Sequence, residues 1–285
     1  MVGSGGVVGT GFLVIFYGFA VGILVGWSVP AEISSLSQLQ YLYLDGSGLS
    51  QTFPWKSLQN MTGLVQLYLG NNPFNPFPFP KEVLQLTNLT WLYLSNCSIH
   101  GTIPAEIGNL KELIYLRLWG NNMTGKIPVE IGNLVNLRKL SLSLNSFIGK
   151  LPVGLRNLTK LKVFHSSMNN LEGDLSELRF LNNLVSLRLC ENELSGQVPA
   201  EFGEFKKLVN LSLCYNSFTG PLPQNLGSSA KLYFIKLSMN SLPAKFHRIC
   251  ASKVLAFFFF PSLYYKTRIV RLGGIPESVD SVLYL

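Results

Sequence analysis

At 285 residues the chain has room for one or two ordinary domains, so composition has to narrow the class. Only 13% of residues are charged and 47% are hydrophobic, which excludes a disordered polyelectrolyte and requires most of the chain to bury surface or enter a membrane. The formal net charge of +8 divides evenly, with 17 Lys/Arg against 13 Asp/Glu over residues 31–242 and 6 against 2 beyond, too thinly spread for a nucleic-acid partner.

Residues 1–30 form the first unit. The stretch VVGTGFLVIFYGFAVGILVGWSV, from Val7 to Val29, is mostly apolar, and no charged side chain occurs between Met1 and Ala31. Its 23 residues are long enough to span a hydrocarbon core as a helix. The competing reading is a cleaved signal peptide with Phe12 to Val25 as its apolar region, against which stands the lack of any Lys or Arg ahead of it. Gly18, Gly22 and Gly26 repeat at the spacing that lets two membrane helices approach, although glycine is common in such spans. Anchor and signal peptide alike deliver the chain from Ala31 onward to the secretory side of a membrane.

Residues 31–242 are periodic. A leucine opening the frame LxxLxLxxNxL recurs at Leu39, Leu64, Leu89, Leu113, Leu137, Leu161, Leu184, Leu208 and Leu232, at spacings of 25, 25, 24, 24, 24, 23, 24 and 24 residues. Leucines two apart, such as Leu116 and Leu118, point to the same side of a short strand, and Arg117 between them points outward. One repeat cannot bury its leucines alone, so the nine must stack into a continuous core with a parallel sheet. The asparagine of the frame can pair turn groups that would otherwise be orphaned inside the stack. Ser47 and Cys97 fill that slot in the first and third repeats, and Cys97 is read as a structural substitute, small and readily buried.

A second signature stands after the asparagine: GTIPAEIGNL from Gly101, GKIPVEIGNL from Gly125, GKLPVGLRNL from Gly149, GQVPAEFGEF from Gly196 and GPLPQNLGSS from Gly220. With it the chain resembles the plant-specific class of leucine-rich repeats found in ectodomains of receptor-like kinases, receptor-like proteins and polygalacturonase-inhibiting proteins. The run from Leu89 to Leu237 resembles Haiku-type receptor-like kinases. The resemblance implies an α/β solenoid, horseshoe-shaped or superhelical, with a concave parallel β-sheet and one hydrophobic helix before it. It further implies an extracellular recognition module that binds a peptide or protein ligand, with a co-receptor as second partner, at the plasma membrane or after secretion. A secreted polygalacturonase-inhibitor-like protein is the alternative.

Residues 243–285 lose the period and are expected to be an irregular tail. The class's cysteine-paired caps are absent from the sequence, as are the Gly-rich loop, catalytic loop and DFG of a kinase, so no catalysis is expected. Loss of the period at Leu242 and Pro243 suggests a truncated or misjoined gene product, and a non-functional receptor fragment is the remaining alternative.

The outward strand positions bring together Tyr43, Tyr68, Trp91, Tyr93, Tyr115, Arg117 and Trp119, with Arg188 in a later repeat. Aromatic anchors beside arginine have the composition of binding hot spots, whereas aromatics also favour strands for their own sake. His165 has no nucleophile or acid beside it in sequence and is read as a surface residue. Glu191 and Glu193 are read as a solvated turn. Cys190 and Cys214 occupy the same slot of adjacent repeats and are read as two free thiols. No CxxC or His-paired spacing occurs, so neither a metal nor a cofactor is expected. Sequons at Asn60, Asn88, Asn96, Asn122 and Asn157 are candidate N-glycan sites. A sixth, Asn210, falls on a concave strand, where a glycan would obstruct a ligand.

Overall fold

The computed structural model describes residues 14–15, 28–29, 31–227, 232–243 and 255–257. Each LxL core forms a three-residue strand: Tyr41–Tyr43, Gln66–Tyr68, Trp91–Tyr93, Tyr115–Arg117, Lys139–Ser141, Val163–His165, Ser186–Arg188, Asn210–Ser212 and Phe234–Lys236. All nine pair parallel and in sequence order, and every strand keeps the same register. The leucines of the frame are fully buried, as Leu67, Leu92, Leu116, Leu140, Leu187 and Leu211 show. Burial of one such side chain is worth about 1.5–3 kcal/mol, and the stack gathers them into one cluster running from Val29 to Leu237.

The GxIP segments build a second parallel sheet, from Phe77–Pro78 through Asn122–Lys126 and Ser146–Lys150 to Ser217–Thr219. The chain then returns along the convex face in short 3-10 helices such as Ala105–Asn109, Val129–Asn133 and Val153–Asn157. Prolines 104, 128 and 152 stand before these three in extended backbone, where a residue without an N–H costs no ladder bond. A repeat of 24 residues leaves no length for a full α-helix on the return path. Gly132 lies against the main chain of Gly154 on the next helix, and a Cβ there would collide with it.

The asparagines join each repeat to the one before. Asn121 donates from Nδ2 to the carbonyls of Leu94 and Leu118, both at 2.9 Å, and accepts at Oδ1 from the amides of Cys97 and Ile99. Asn72, Asn145, Asn169, Asn192, Asn216 and Asn240 repeat the pattern. Cys97 keeps its donor half: the thiol points to the carbonyls of Leu69 at 3.2 Å and Ser95 at 3.4 Å. It supplies no acceptor to the preceding repeat, where the amide of Phe74 turns to the carbonyl of Asn72. Burial pushes its thiol up to about 12, so it stays protonated.

The residue ahead of this slot is left-handed in every repeat, from Gly46 and Asn71 to Leu144, Met168, Glu191, Tyr215 and Met239, with φ between 51° and 70°. Such backbone costs a non-glycine residue about 1–3 kcal/mol and persists only where its surroundings hold it. Here the ladder does so: the amide of Leu144 donates to Ser167 and that of Met168 to Cys190.

Three expectations change. Cys190 and Cys214 form a disulfide, not two thiols, because consecutive parallel strands bring their Cα atoms to 4.5 Å, inside the range a disulfide spans. Of the segment expected as a hydrophobic helix, Val14–Ile15 is instead a strand that pairs with Leu42 and Tyr43; most of the remainder lies outside the described residues. No helix among the described residues is long and apolar enough to cross a membrane. In the tail, Leu255–Phe257 adds a strand beside Phe234–Lys236, and its other residues from 244 onward lie outside the described residues.

Candidate binding site on the concave face

Parallel register sets the outward side chains in rows across the sheet. One row holds Tyr43, Tyr68, Tyr93, Arg117, Ser141, His165, Arg188, Ser212 and Lys236; the row behind it includes Gln66, Trp91, Tyr115 and Lys139. Strands about 4.8 Å apart place neighbouring rings in contact. Tyr43 meets Tyr68 edge-on at 4.8 Å between ring centres, Tyr68 stacks on Trp91 at 5.8 Å, and Trp91 meets Tyr115 at 3.9 Å. All four are half-buried and present ring surface to the concave side.

Polar contacts fix the rings. The Tyr43 hydroxyl donates to Oε1 of Gln66. Asn71 donates from Nδ2 to the Tyr93 hydroxyl at 2.7 Å, and Asn96 donates in turn to Oδ1 of Asn71 at 2.8 Å. The Tyr93 ring occupies the space over Gly70, where a Cβ would stand 2.8 Å from it. Arg117 lies over that ring, 5.5 Å from its centre, in cation–π geometry. Burial pushes the Tyr68 hydroxyl up to about 12, so it stays protonated.

Of the eight residues expected on the wall, six form this continuous run: Tyr43, Tyr68, Trp91, Tyr93, Tyr115 and Arg117. Trp119 lies two residues past its strand and makes no ring contact with the run, and Arg188 sits three strands beyond Arg117. The structure adds Lys139, which the sequence pattern does not single out. It holds the same outward position as Trp91 and Tyr115, so the row itself is the signal that points to it.

His165 also needs correction. It is half-buried, its Nε2 is 2.9 Å from Oγ of Ser186, and it lies between Lys139 and Arg188. Burial, then the positive charges of Arg188 and Lys139, push its pKa down to about 3, so it is neutral. Glu191 and Glu193 are exposed, as a solvated turn requires. Among the described residues no cluster of three His, Cys, Asp or Glu is placed to hold a metal. The five candidate glycan asparagines are all exposed, whereas Asn210 is half-buried on its strand.

A family model for the leucine-rich repeat region matches residues 87–241. The receptor-like protein kinase HAIKU2 of Arabidopsis thaliana is 52% identical over 72 residues, 25% of this chain and 7% of that protein. Receptor-like protein kinase 7 of the same plant is 58% identical over 74 residues, 26% of this chain and 8% of that protein. The solved Arabidopsis receptor kinase HAESA, in complex with the peptide hormone IDA and the co-receptor SERK1, superposes with a TM-score of 0.74 at 36% identity, covering 81% of this chain and 40% of that one. The chain thus matches well under half the length of each of these relatives.

Proposed function

Because the chain belongs to the leucine-rich repeat family, we propose that it is an extracellular recognition module that binds an extended peptide across its concave sheet. The observation that carries this is the unbroken ring contact from Tyr43 through Tyr68 and Trp91 to Tyr115, one ring per strand. An extended peptide crossing the strands meets a new row about every 4.8 Å, and large, rigid aromatic surfaces bind at low entropic cost. The peptide-bound HAESA complex supports the reading, since that receptor is similar to this chain over 81% of its length. By the same similarity, a co-receptor is the second partner.

Placement at the plasma membrane, with the repeats outside, or secretion goes with this function. The apolar segment of residues 1–30 would direct export, and Asn60, Asn88, Asn96, Asn122 and Asn157 would carry glycans. N-terminal sequencing after expression in plant cells, with membrane fractionation, separates the two: a mature N-terminus near Val29 in the soluble fraction would reject the anchor.

Selection of a displayed peptide library on the full chain tests the binding role. Peptides should be captured at micromolar affinity or better and lost by at least tenfold on Tyr68→Ala/Trp91→Ala, with the fold retained by circular dichroism. Capture that ignores this double substitution, or no capture at all, overturns it.

A further inference from the structure

Two edges bound the solenoid, one where the inner strands begin and one where they end, and from the fifth repeat onward they carry opposite charge. On the beginning edge, the two residues before each frame leucine and the one after it include Arg138, Lys160, Lys162, Lys206 and Lys207, all exposed. These rows hold no Asp or Glu from Val135 to Val209. On the ending edge, the residues beside each ladder asparagine and the next outward position of the second sheet include Glu172, Glu191 and Glu193, all exposed. These rows hold no Lys or Arg from Leu144 to Ser241.

Neither set of charges is neutralised within the chain. Lys160 donates to Oδ1 of Asn136 at 2.7 Å and Lys207 to Oδ1 of Asn183 at 2.6 Å, and each asparagine is anchored in turn on a carbonyl of the preceding repeat. A neutral amide positions an ammonium without cancelling its charge. Glu172 and Glu193 pair directly across neighbouring strands, where like charges repel. Among the described residues the one ion pair, Arg156 with Glu177, joins return-path residues away from both edges.

The ending edge also exposes Leu144, Met168, Tyr215 and Met239, each at the left-handed position ahead of a ladder asparagine. In the first four repeats that position is Gly46, Asn71, Asn96 or Gly120, residue types that take such backbone readily. The later repeats therefore bear strain and expose large apolar side chains at the same point, and burial against a partner offsets the exposure. The beginning edge answers with Val135 and Tyr233 exposed and Val185 and Val209 half-buried. A notch of about 380 Å³ lies between Met168, Asn170, Glu191 and Glu193, apolar on one side and anionic on the other. It suits a lysine that rests its stem on Met168 and its ammonium against the carboxylates. No sequon falls on either edge from the fifth repeat on: Asn88, Asn96 and Asn122 lie on the edges of the third and fourth, and Asn157 ends a convex helix.

We propose that these edges are the two halves of a contact between copies of this chain, the beginning edge of one copy seating on the ending edge of the next. Such a contact is heterologous, so it extends into a row or ring of copies and does not stop at a dimer. It leaves the aromatic run open and stands independently of the peptide role.

Sedimentation of the full chain from micromolar to millimolar concentration should show a mass that rises with concentration and falls with added salt. Glu172→Lys/Glu191→Lys/Glu193→Lys makes both edges basic, and Lys160→Glu/Lys162→Glu/Lys206→Glu/Lys207→Glu makes both acidic. Each variant alone should associate at least tenfold more weakly than wild type, and an equal mixture of the two should recover association, because unlike edges then meet again. Leu144→Gly/Tyr215→Gly, which restores the residue type of the early repeats, should weaken association at least threefold and keep the fold. Wild type that stays monomeric throughout overturns the contact. So does association indifferent to either reversal, or a mixture that fails to recover while circular dichroism reports both variants folded. If a reversal variant loses the fold, Lys160→Gln/Lys207→Gln and Glu191→Gln/Glu193→Gln replace the pair; each should weaken association at least threefold, and unchanged association rejects the proposal.

Discussion

Asn121 accepts the main-chain amide of Cys97 at 3.0 Å, and through such bonds each repeat is tied to the one before it. Asn121 is buried, with four hydrogen bonds to backbone groups that have no access to water. Its replacement by alanine leaves those groups unpaired, at about 1–3 kcal/mol for each one wholly abandoned. Asn121→Ala should therefore lower unfolding stability by about 3 kcal/mol or more in guanidinium titrations. Cys97→Asn restores the missing acceptor in the third repeat and should leave stability equal or higher. A midpoint unchanged in Asn121→Ala would show that the ladder contributes little.

The Cys190–Cys214 disulfide encloses a loop with a sequence separation of 24. Closure of a loop of that size in the unfolded chain corresponds to about 3 kcal/mol. Peptide mapping without reductant should recover the two cysteines on linked fragments that resist alkylation after denaturation, whereas Cys97 is alkylated. Cys190→Ser/Cys214→Ser should lower stability by about 2–4 kcal/mol; free thiols at both positions in oxidised, secreted protein would refute the bridge.

His165 ties stability to mild acid. Its folded pKa of about 3 lies below the ordinary value of 6.5, so the unfolded chain takes up the proton first as pH falls. Its contribution is constant above about pH 7 and is lost progressively below pH 6.5, by at most about 1.4 kcal/mol per pH unit. His165→Gln removes this titration and should flatten stability between pH 7 and 5. An NMR titration that placed the imidazole near 6.5 in the folded chain would contradict the burial argument.

Gly132 packs on the main chain of Gly154, so a side chain at this point must push two convex helices apart. Gly132→Val should cost at least about 2 kcal/mol. Thermal melts compared with a valine at Gly63, where a Cβ meets nothing within 4 Å, isolate the collision from the general effect of losing a glycine.

The period of the sequence is enough to place the nine repeat strands, the leucines of the frame and the asparagine ladder, because those depend on local spacing. It is also enough to assign Cys97 a structural role. The features it leaves out depend on distances across the stack. The left-handed residue before each asparagine is Gly, Asn, Leu, Met, Glu or Tyr, so no residue type marks it; cross-repeat hydrogen bonds impose the conformation. The 24-residue offset puts Cys190 and Cys214 in matching slots but does not give the 4.5 Å that lets them bond. Lys139 and His165 stay inconspicuous for a similar reason: a lone basic residue in sequence says nothing of the like charges that neighbouring strands bring to it.

The disulfide between the seventh and eighth repeats has a mechanical consequence. A solenoid stretched from its ends comes apart by shedding repeats in turn, each releasing its own length of chain. The bridge withholds the residues between Cys190 and Cys214, about 80 Å of extended chain, until the sulfurs part. Pulled in an optical trap, oxidised protein should stop short of its full extension by that amount, and addition of reductant should release the remainder in one step.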